Sequence, residues 1–281
     1  MLTIPPRGGV HVPGQGLEAL DVTSVRAYGV RIEFRVPAPL LAHLPVPIVP
    51  GAEQGSRGPA DAVISVRVDH TADGGTLYEI AENGTVLGME ASLQAAASVV
   101  ESWAQLTVAT LARGLVFVHG GVVGWQNRAI VMPGRSLSGK STLVLALVEA
   151  GANYYSDEYA VFDSDGRIHP YWRPPKLRVA SDQEAASRLL GGVVSGSPPL
   201  PITLGLVLIS RYEAGSRWLP RQLSCGETLL GLLDNTVPLR LRPEESVKTL
   251  AKAVANAQGF EGMRGEAADF AEQALGLLRR V

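Results

Sequence analysis

A glycine-rich loop between an apolar strand and an apolar helix constrains this chain more than any other stretch. Residues 132–151 read MPGRSLSGKSTLVLALVEAG, and Gly134, Gly139, Lys140 and Ser141 stand at G-x-x-x-x-G-K-S spacing. Glycines let the backbone curl until successive N–H groups point inward, and the positive end of the following helix adds to the same place. The loop is therefore predicted to bind the phosphates of a nucleotide.

The loop residues divide the predicted binding between them. Lys140 supplies a full positive charge for the outer phosphates, and the Ser141 hydroxyl is a predicted ligand of Mg²⁺. The residues predicted to bind the nucleotide are Gly134, Arg135, Ser136, Leu137, Ser138, Gly139, Lys140, Ser141 and Thr142.

Two adjacent acids follow the predicted helix. Asp157 and Glu158 precede the apolar run YAVFD. Near a triphosphate, one carboxylate of such a pair can accept the proton of an attacking hydroxyl while the other helps to hold Mg²⁺. A solvated acidic turn is the alternative. The apolar run follows the pair instead of preceding it, and this order argues against ATPases and GTPases whose acid ends an apolar strand.

A histidine lies upstream of the loop, in VFVHGGVV. A histidine among apolar residues is often a hydrogen-bonded core residue. The glycines that follow His119 indicate a close backbone approach at a strand end, which favours a place in the site.

The rest of the chain divides into two parts. Residues before Ser92 show the alternation of strands, with a hairpin signal at Asn83-Gly84 and a long Pro/Gly loop at 42–61. Helical spacing then begins, followed by alternating apolar strands and helices. The predicted division is a β-rich N-terminal segment over 1–91 and an α/β nucleotide-binding domain over 92–281, with the helix 92–113 as connector.

Composition excludes several classes of protein. The chain has 281 residues and a net charge of −2, so no polyanion is an expected partner and nucleic-acid binding is not expected. It has one cysteine, Cys225, which indicates a reducing compartment. The N-terminus lacks the pattern of a signal peptide, and no apolar run is long enough to span a membrane. We therefore expect a cytoplasmic protein that does not insert into membranes.

The histidine strand, the glycine loop with its helix and the acid pair, in this order, resemble the catalytic domain of HPr kinase/phosphorylase and its shorter relatives. The resemblance implies an α/β nucleotide-binding domain with a P-loop, related to ATP-dependent phosphoenolpyruvate carboxykinase and preceded here by the β-rich segment. It implies that Asp157 transfers the proton, that His119 and Lys140 act beside it near the phosphates, and that Glu158 joins Ser141 in holding Mg²⁺.

The chain is more similar to the shorter relatives than to HPr kinase itself. The stretch DSDGRIHPYWRPPKLRVAS stands where HPr kinase carries a glycine-rich second signature. The resemblance then implies an ATP- and Mg²⁺-dependent kinase whose substrate is a serine hydroxyl of a protein or peptide. Two alternatives stay open: a nucleotide-binding regulatory module that transfers nothing, and a kinase that acts on a small-molecule hydroxyl.

Other expectations concern the surroundings of the loop. Four further cations are candidates for contacts with the transferred phosphoryl group or for structural roles: Lys176, Arg178, Arg211 and Arg221. The β-rich segment either recruits the substrate or braces the core. The apolar terminal helix is compatible with a homo-oligomer.

Overall fold

The strands in the described part of the chain form two sheets in the computed structural model. The first sheet contains β1 (Leu20–Ala27), β2 (Val30–Pro37), β3 (Glu53–Gln54), β4 (Ala62–His70), β5 (Thr76–Glu82) and β6 (Thr85–Glu90). Their order is β3-β1-β2-β4-β5-β6. The structure describes residues 20–55, 58–71, 73–134, 139–173, 175, 184, 186–187, 189–190 and 199–278.

The first sheet is built from hairpins and covered by a long helix. Asn83 and Gly84 both have positive φ, 48° and 82°, which is the two-residue turn that suits a twisted hairpin. Helices α1 (Ala38–His43) and α2 (Leu93–Leu111) follow β2 and β6. The Ser92 hydroxyl accepts a hydrogen bond from the Ala95 amide at 3.2 Å and begins α2. The apolar stripe of α2 lies in one core with the sheet.

The second sheet carries the glycine loop and the acid pair. It contains β7 (Leu115–Trp125), β8 (Arg128–Pro133), β9 (Asn153–Ser156), β10 (Tyr159–Asp163), β11 (Arg167–His169), β12 (Ile202–Tyr212), β13 (Arg221–Leu223) and β14 (Gln258–Arg264). The order is β11-β10-β7-β8-β12-β14-β13, and β9 pairs with β7. Strands β8, β12 and β14 are parallel to one another. Strand β7 runs antiparallel to β8 and to β9.

Helices cover both faces of the second sheet. They are α3 (Lys140–Glu149), α4 (Cys225–Leu233), α5 (Pro243–Val254) and α6 (Ala267–Leu278). On β8, Ile130 and Met132 lie in a core with α3 and α6, whereas Ala129 and Val131 lie in a core with α4 and α5. Side chains alternate along a strand, so a strand covered on both faces needs an unbroken apolar run. This confirms the mixed α/β class and the β-rich N-terminal region.

Several elements differ from the sequence predictions. The predicted loop over 42–61 overlaps the end of α1 and contains β3, and the predictions missed strands β9 and β14. Residues 1–19 of the predicted N-terminal segment lie outside the described residues.

Helix α3 packs closely on β7 because β7 has a glycine at the contact. A Cβ atom on Gly121 would lie 2.6 Å from Val144 Cγ2 and 3.3 Å from Met132 Cε. Val144 is a buried, β-branched side chain and cannot move aside cheaply. The closeness of this contact fixes the distance between α3 and the sheet.

We predict that Gly121→Ala destabilises the protein by about 1–3 kcal/mol, because the added methyl group overpacks this contact. Urea unfolding measures the change. Gly88→Ala in β6 is the control, since no atom lies within 4 Å of its added Cβ, and we expect a change within about 0.5 kcal/mol. Equal stability of the Gly121 variant and the wild type would contradict this packing.

Candidate functional site

The candidate site lies at the edge of the second sheet where several strands have their carboxyl ends. Strands β8, β12 and β14 are parallel, so their carboxyl ends lie on the same side. Strand β9 points the same way, because β8 and β9 are both antiparallel to β7. The glycine loop (residues 134–142) follows β8, and Asp157 follows β9. Ligands of open α/β sheets commonly bind at this edge.

The end of the glycine loop forms the N-terminus of α3. Gly139 is the N-cap residue, with φ of 80°, a conformation that glycine adopts without strain. The first amides of a helix have no acceptor within the helix, and the helix dipole makes this end positive. At the start of the loop, the Gly134 amide donates to the His119 carbonyl at 3.1 Å. This arrangement can bind an anion.

Asp157 lies between two hydroxyl groups. Ser141 Oγ donates to Asp157 Oδ2 at 2.8 Å, and the Tyr154 hydroxyl lies 3.2 Å from Asp157 Oδ1. Asp157 is 5% exposed. The backbone turns here because the Ser156 hydroxyl accepts hydrogen bonds from the Glu158 and Tyr159 amides at 3.1 and 3.0 Å. The structure therefore brings the glycine loop and the first acid into direct contact.

Glu158 and His119 form the more open side of the site. His119 Nδ1 lies 3.7 Å from Glu158 Oε1, and about a third of each side chain is exposed. The imidazole packs on the Tyr159 ring, with centroids 4.6 Å apart. The Gly120 amide donates to the Glu158 carbonyl at 3.1 Å, so β7 holds the turn that carries the acids.

Burial and charge shift two pKa values in the site. Burial lowers the pKa of Lys140, while the charges of Glu158 and Asp157 act in the opposite direction. Burial and then the charge of Lys140 lower the pKa of His119. His119 is therefore neutral at pH 7 and can accept a hydrogen bond at one ring nitrogen.

The structure adds a cation that sequence analysis missed. Arg264 ends β14 and is 4% exposed. Its Nη2 lies 2.7 Å from the position that a Cβ of Gly139 would take. Nη1 donates to the Gly265 carbonyl at 3.1 Å, and the guanidinium lies over the Tyr212 ring, 5.3 Å from its centroid. No motif marks this arginine, and only the pairing of β14 with β12 brings it here.

Arg264 has no ion-pair contact in the described part of the chain. No carboxylate there lies within ion-pair distance of it, and its Nε has no hydrogen-bond partner. Burial lowers the pKa of its guanidinium, and the charge of Glu266 acts in the opposite direction. A buried charge is costly unless it is paired, and an anion at the N-terminus of α3 would supply a direct partner.

The predicted site residues divide into three groups. Those brought together at this edge are Gly134, Gly139, Lys140, Ser141, Asp157, Glu158 and His119. Thr142 lies in the first turn of α3 with an exposed side chain. Arg135, Ser136, Leu137, Ser138, Lys176 and Arg178 lie outside the described residues.

The two remaining candidate cations, Arg211 and Arg221, are exposed. Arg211 is exposed near the end of β12. Arg221 is exposed and forms ion pairs with Glu227 and Glu261 at 2.7 and 3.0 Å. Because two glutamates already pair with its charge, Arg221 is better explained by a structural role than by contact with a phosphoryl group.

The order of elements around the acid pair differs from the sequence analysis. The apolar strand β10 follows the pair as predicted, but strand β9 also precedes it directly. Tyr154, Tyr155 and Ser156 of β9 are buried. Asp157 thus directly follows a buried strand, so the order of elements does not separate this chain from ATPases and GTPases.

The donor set suits Mg²⁺ bound together with phosphates. Ser141 Oγ and Asp157 Oδ2 are 2.8 Å apart. Neighbouring ligands of an octahedral ion with bonds of about 2.0–2.1 Å are about 2.8–3.0 Å apart. Among the described residues, no group of three or more His, Cys, Asp or Glu side chains could enclose a metal. Mg²⁺ commonly takes one or two protein oxygens and completes its shell with phosphate and water.

Comparisons with known proteins add no assignment. A scan against protein-family models found no matching family, and a search of curated proteins found no matching sequence. No helix in the described part of the chain has the length and apolar character needed to cross a bilayer.

We predict that Lys140→Met raises the pKa of His119, because the positive charge that disfavours the imidazolium is removed. The pKa stays below the usual histidine value, since burial is the larger cause. NMR titration of the imidazole measures the shift. Lys252→Met is the control, because Lys252 is an exposed residue that pairs with Asp165. An unchanged His119 pKa in the Lys140 variant would contradict the predicted proximity.

Proposed function

We propose that this protein is an ATP-dependent phosphotransferase of the HPr-kinase-like type. It transfers the γ-phosphoryl group to a hydroxyl, and we favour a serine of a protein or peptide as the acceptor. The α/β nucleotide-binding fold of that family and the use of the loop as a P-loop are part of the proposal.

One observation carries the proposal: the hydrogen bond of 2.8 Å between Ser141 Oγ and Asp157 Oδ2. Residues 134–142 match the spacing of a phosphate-binding loop, and the hydrogen bond places a carboxylate at its end. Phosphoryl transfer needs an anion cradle and a nearby group that accepts a proton or positions the nucleophile. In this site the loop serine and the carboxylate are joined directly by one hydrogen bond.

The residues of the chain then have distinct roles. The amides at the N-terminus of α3, Lys140 and Arg264 bind the phosphate oxygens and stabilise the charge of the transition state. Asp157 accepts the proton of the acceptor hydroxyl as its oxygen attacks the γ-phosphorus. The bond from that phosphorus to the ADP oxygen breaks, and ADP leaves with the bonding electrons. His119, as a neutral imidazole, lies beside Glu158 and orients it.

Mg²⁺ would be held by Ser141 with help from the acid pair, and would shield negative charge on the phosphates when bound. Glu158 is the acid that the resemblance assigns to it. The contact between Ser141 and Asp157 also gives Asp157 a share in that position. A carboxylate oxygen has two lone-pair directions, so each Asp157 oxygen can accept a second hydrogen bond.

A second candidate function is nucleotide hydrolysis, in which water takes the place of the acceptor hydroxyl. The position of Asp157 directly after the buried strand β9, bonded to the serine of the loop, favours it. The two functions share the phosphate site and differ in the nucleophile.

A transfer assay with γ-labelled ATP, Mg²⁺ and lysate of the source cell tests the proposal. Label on one polypeptide, with one phosphate gained by mass spectrometry on a serine, supports the kinase. Label on a small molecule identifies a metabolite kinase, and release of inorganic phosphate alone identifies hydrolysis. Nucleotide binding without any turnover would overturn catalysis and leave a binding module.

We predict that Asp157→Asn lowers the transfer rate by about 10²–10⁴, the usual contribution of a positioned base. The Kd for ATP measured without Mg²⁺ should change little, because the negative charge of Asp157 does not attract the phosphates. Rapid-quench kinetics and calorimetric binding measure the two effects. Asp165→Asn is the control, since Asp165 is an exposed residue at a turn. Full turnover of the Asp157 variant would show that another group accepts the proton.

We predict that Arg264→Gln weakens ATP binding by about 10- to 100-fold, because a charge-assisted hydrogen bond is worth about 1.5–3 kcal/mol. Arg221→Gln on the neighbouring strand β13 should leave the Kd unchanged, since Arg221 is exposed and paired with glutamates. Calorimetry on both variants measures the difference. Equal affinity of the two variants would remove Arg264 from the phosphate site.

A further inference from the structure

We infer that Tyr154 is a positioning residue that holds the carboxyl group of Asp157 in place for the reaction. The inference rests on the proposed function, because it assigns a use to the carboxylate of Asp157. It adds a role for Tyr154 and a connection from Tyr154 to the first sheet.

The Tyr154 hydroxyl has two acceptors within reach. It lies 3.2 Å from Asp157 Oδ1 and 2.6 Å from the Arg173 carbonyl oxygen. Tyr154 is 1% exposed, so water does not compete for these contacts. A tyrosine hydroxyl has one proton to donate and lone pairs to accept another.

The single proton of the Tyr154 hydroxyl lies between these two acceptors. The Arg173 carbonyl is nearer than Asp157 Oδ1, so the tyrosine ties the position of Oδ1 to the backbone at Arg173. With Ser141 on Oδ2, both oxygens of Asp157 are in contact with hydroxyl groups. The carboxylate is therefore kept in one orientation.

The Arg173 end of this chain of contacts is anchored on helix α2. Arg173 Nη1 donates to Gln105 Oε1 at 2.5 Å. The Gln105 amide nitrogen lies 3.2 Å from the Ile48 carbonyl and from Glu101 Oε1. Gln105 and Glu101 are both buried on α2. Since α2 shares its core with the first sheet, the β-rich segment braces the site through these residues.

The neighbouring residue provides a matched control. Tyr155 follows Tyr154 on β9, and successive side chains of a strand point to opposite faces. The Tyr155 hydroxyl donates to the Leu200 carbonyl at 2.8 Å and is not among the described contacts of Asp157. Tyr154→Phe and Tyr155→Phe therefore remove the same group, a buried hydroxyl on one strand, from different surroundings.

The experiment compares kcat, the KM for ATP and the Kd for ATP in the two variants. We expect Tyr154→Phe to lower kcat by about 10- to 100-fold, the cost of a misplaced catalytic group, with KM and Kd within about two-fold of wild type. Tyr155→Phe should leave all three constants unchanged. A Tyr154→Phe protein that matches Tyr155→Phe in kcat would overturn the inference and leave the proposed function standing.

A second variant tests the connection to α2. Gln105→Met keeps the side-chain length and removes the acceptor of Arg173. We expect a smaller loss of kcat than in Tyr154→Phe, again with the Kd for ATP unchanged. An unchanged kcat would show that the bracing through α2 does not reach Asp157.

A measurement that needs no turnover distinguishes failure of this inference from failure of the proposed function. Urea unfolding of wild type, Tyr154→Phe, Asp157→Asn and the double variant forms a cycle. We expect non-additive shifts, because the two side chains share a hydrogen bond. If the wild type transfers no phosphate, the proposed function fails, but the cycle still shows whether Tyr154 and Asp157 interact. Additive changes in the free energy of unfolding would show that they do not, and would overturn the inference.

Discussion

The hydrogen bond between Ser141 and Asp157 depends on the direction of three strands. Strand β7 lies between β8 and β9 and is antiparallel to both, so the carboxyl ends of β8 and β9 meet at one edge. Gly121 permits α3 to approach β7 closely enough for the serine at its start to reach the acid. A shift of β7 by one residue would reverse which faces its side chains point to and would separate these two groups.

Two cations and two acids lie at this edge. Lys140 is partly buried near Glu158 and Asp157, and these carboxylates oppose the effect of burial on its pKa. Arg264 is more deeply buried, and a carbonyl and an aromatic ring are among its contacts. A phosphate group at the N-terminus of α3 would pair with a guanidinium that forms no ion pair within the described residues. The negative charge of a nucleotide would therefore be stabilised by groups already in place, with little reorganisation on binding.

Local signals made part of this structure predictable. The apolar runs of β7 and β8, the start of α2 at Ser92 and the Asn83-Gly84 turn follow from nearest neighbours along the chain. Strand β14 was missed because its sequence, QGFEGMR, has two glycines and no apolar run, and it is stabilised by pairing with β12. Arg264 was missed because the residues it approaches, Gly139 and Tyr212, are distant in sequence. Tyr154 is only three residues from Asp157, but no spacing rule marks the turn after β9 that brings its hydroxyl to the carboxylate.

The first sheet reaches the site by a second route, through aromatic rings. Tyr28, in the turn between β1 and β2, stacks on Tyr171 with ring centroids 6.1 Å apart. Tyr171 contacts Tyr159 at 5.2 Å, and Tyr159 packs on His119 at 4.6 Å. The polar route through α2 ends at Asp157, whereas this apolar route ends at His119. Because the side chains along both routes are in contact with one another, a displacement of the first sheet would move two groups of the site, which favours bracing as the role of the β-rich segment.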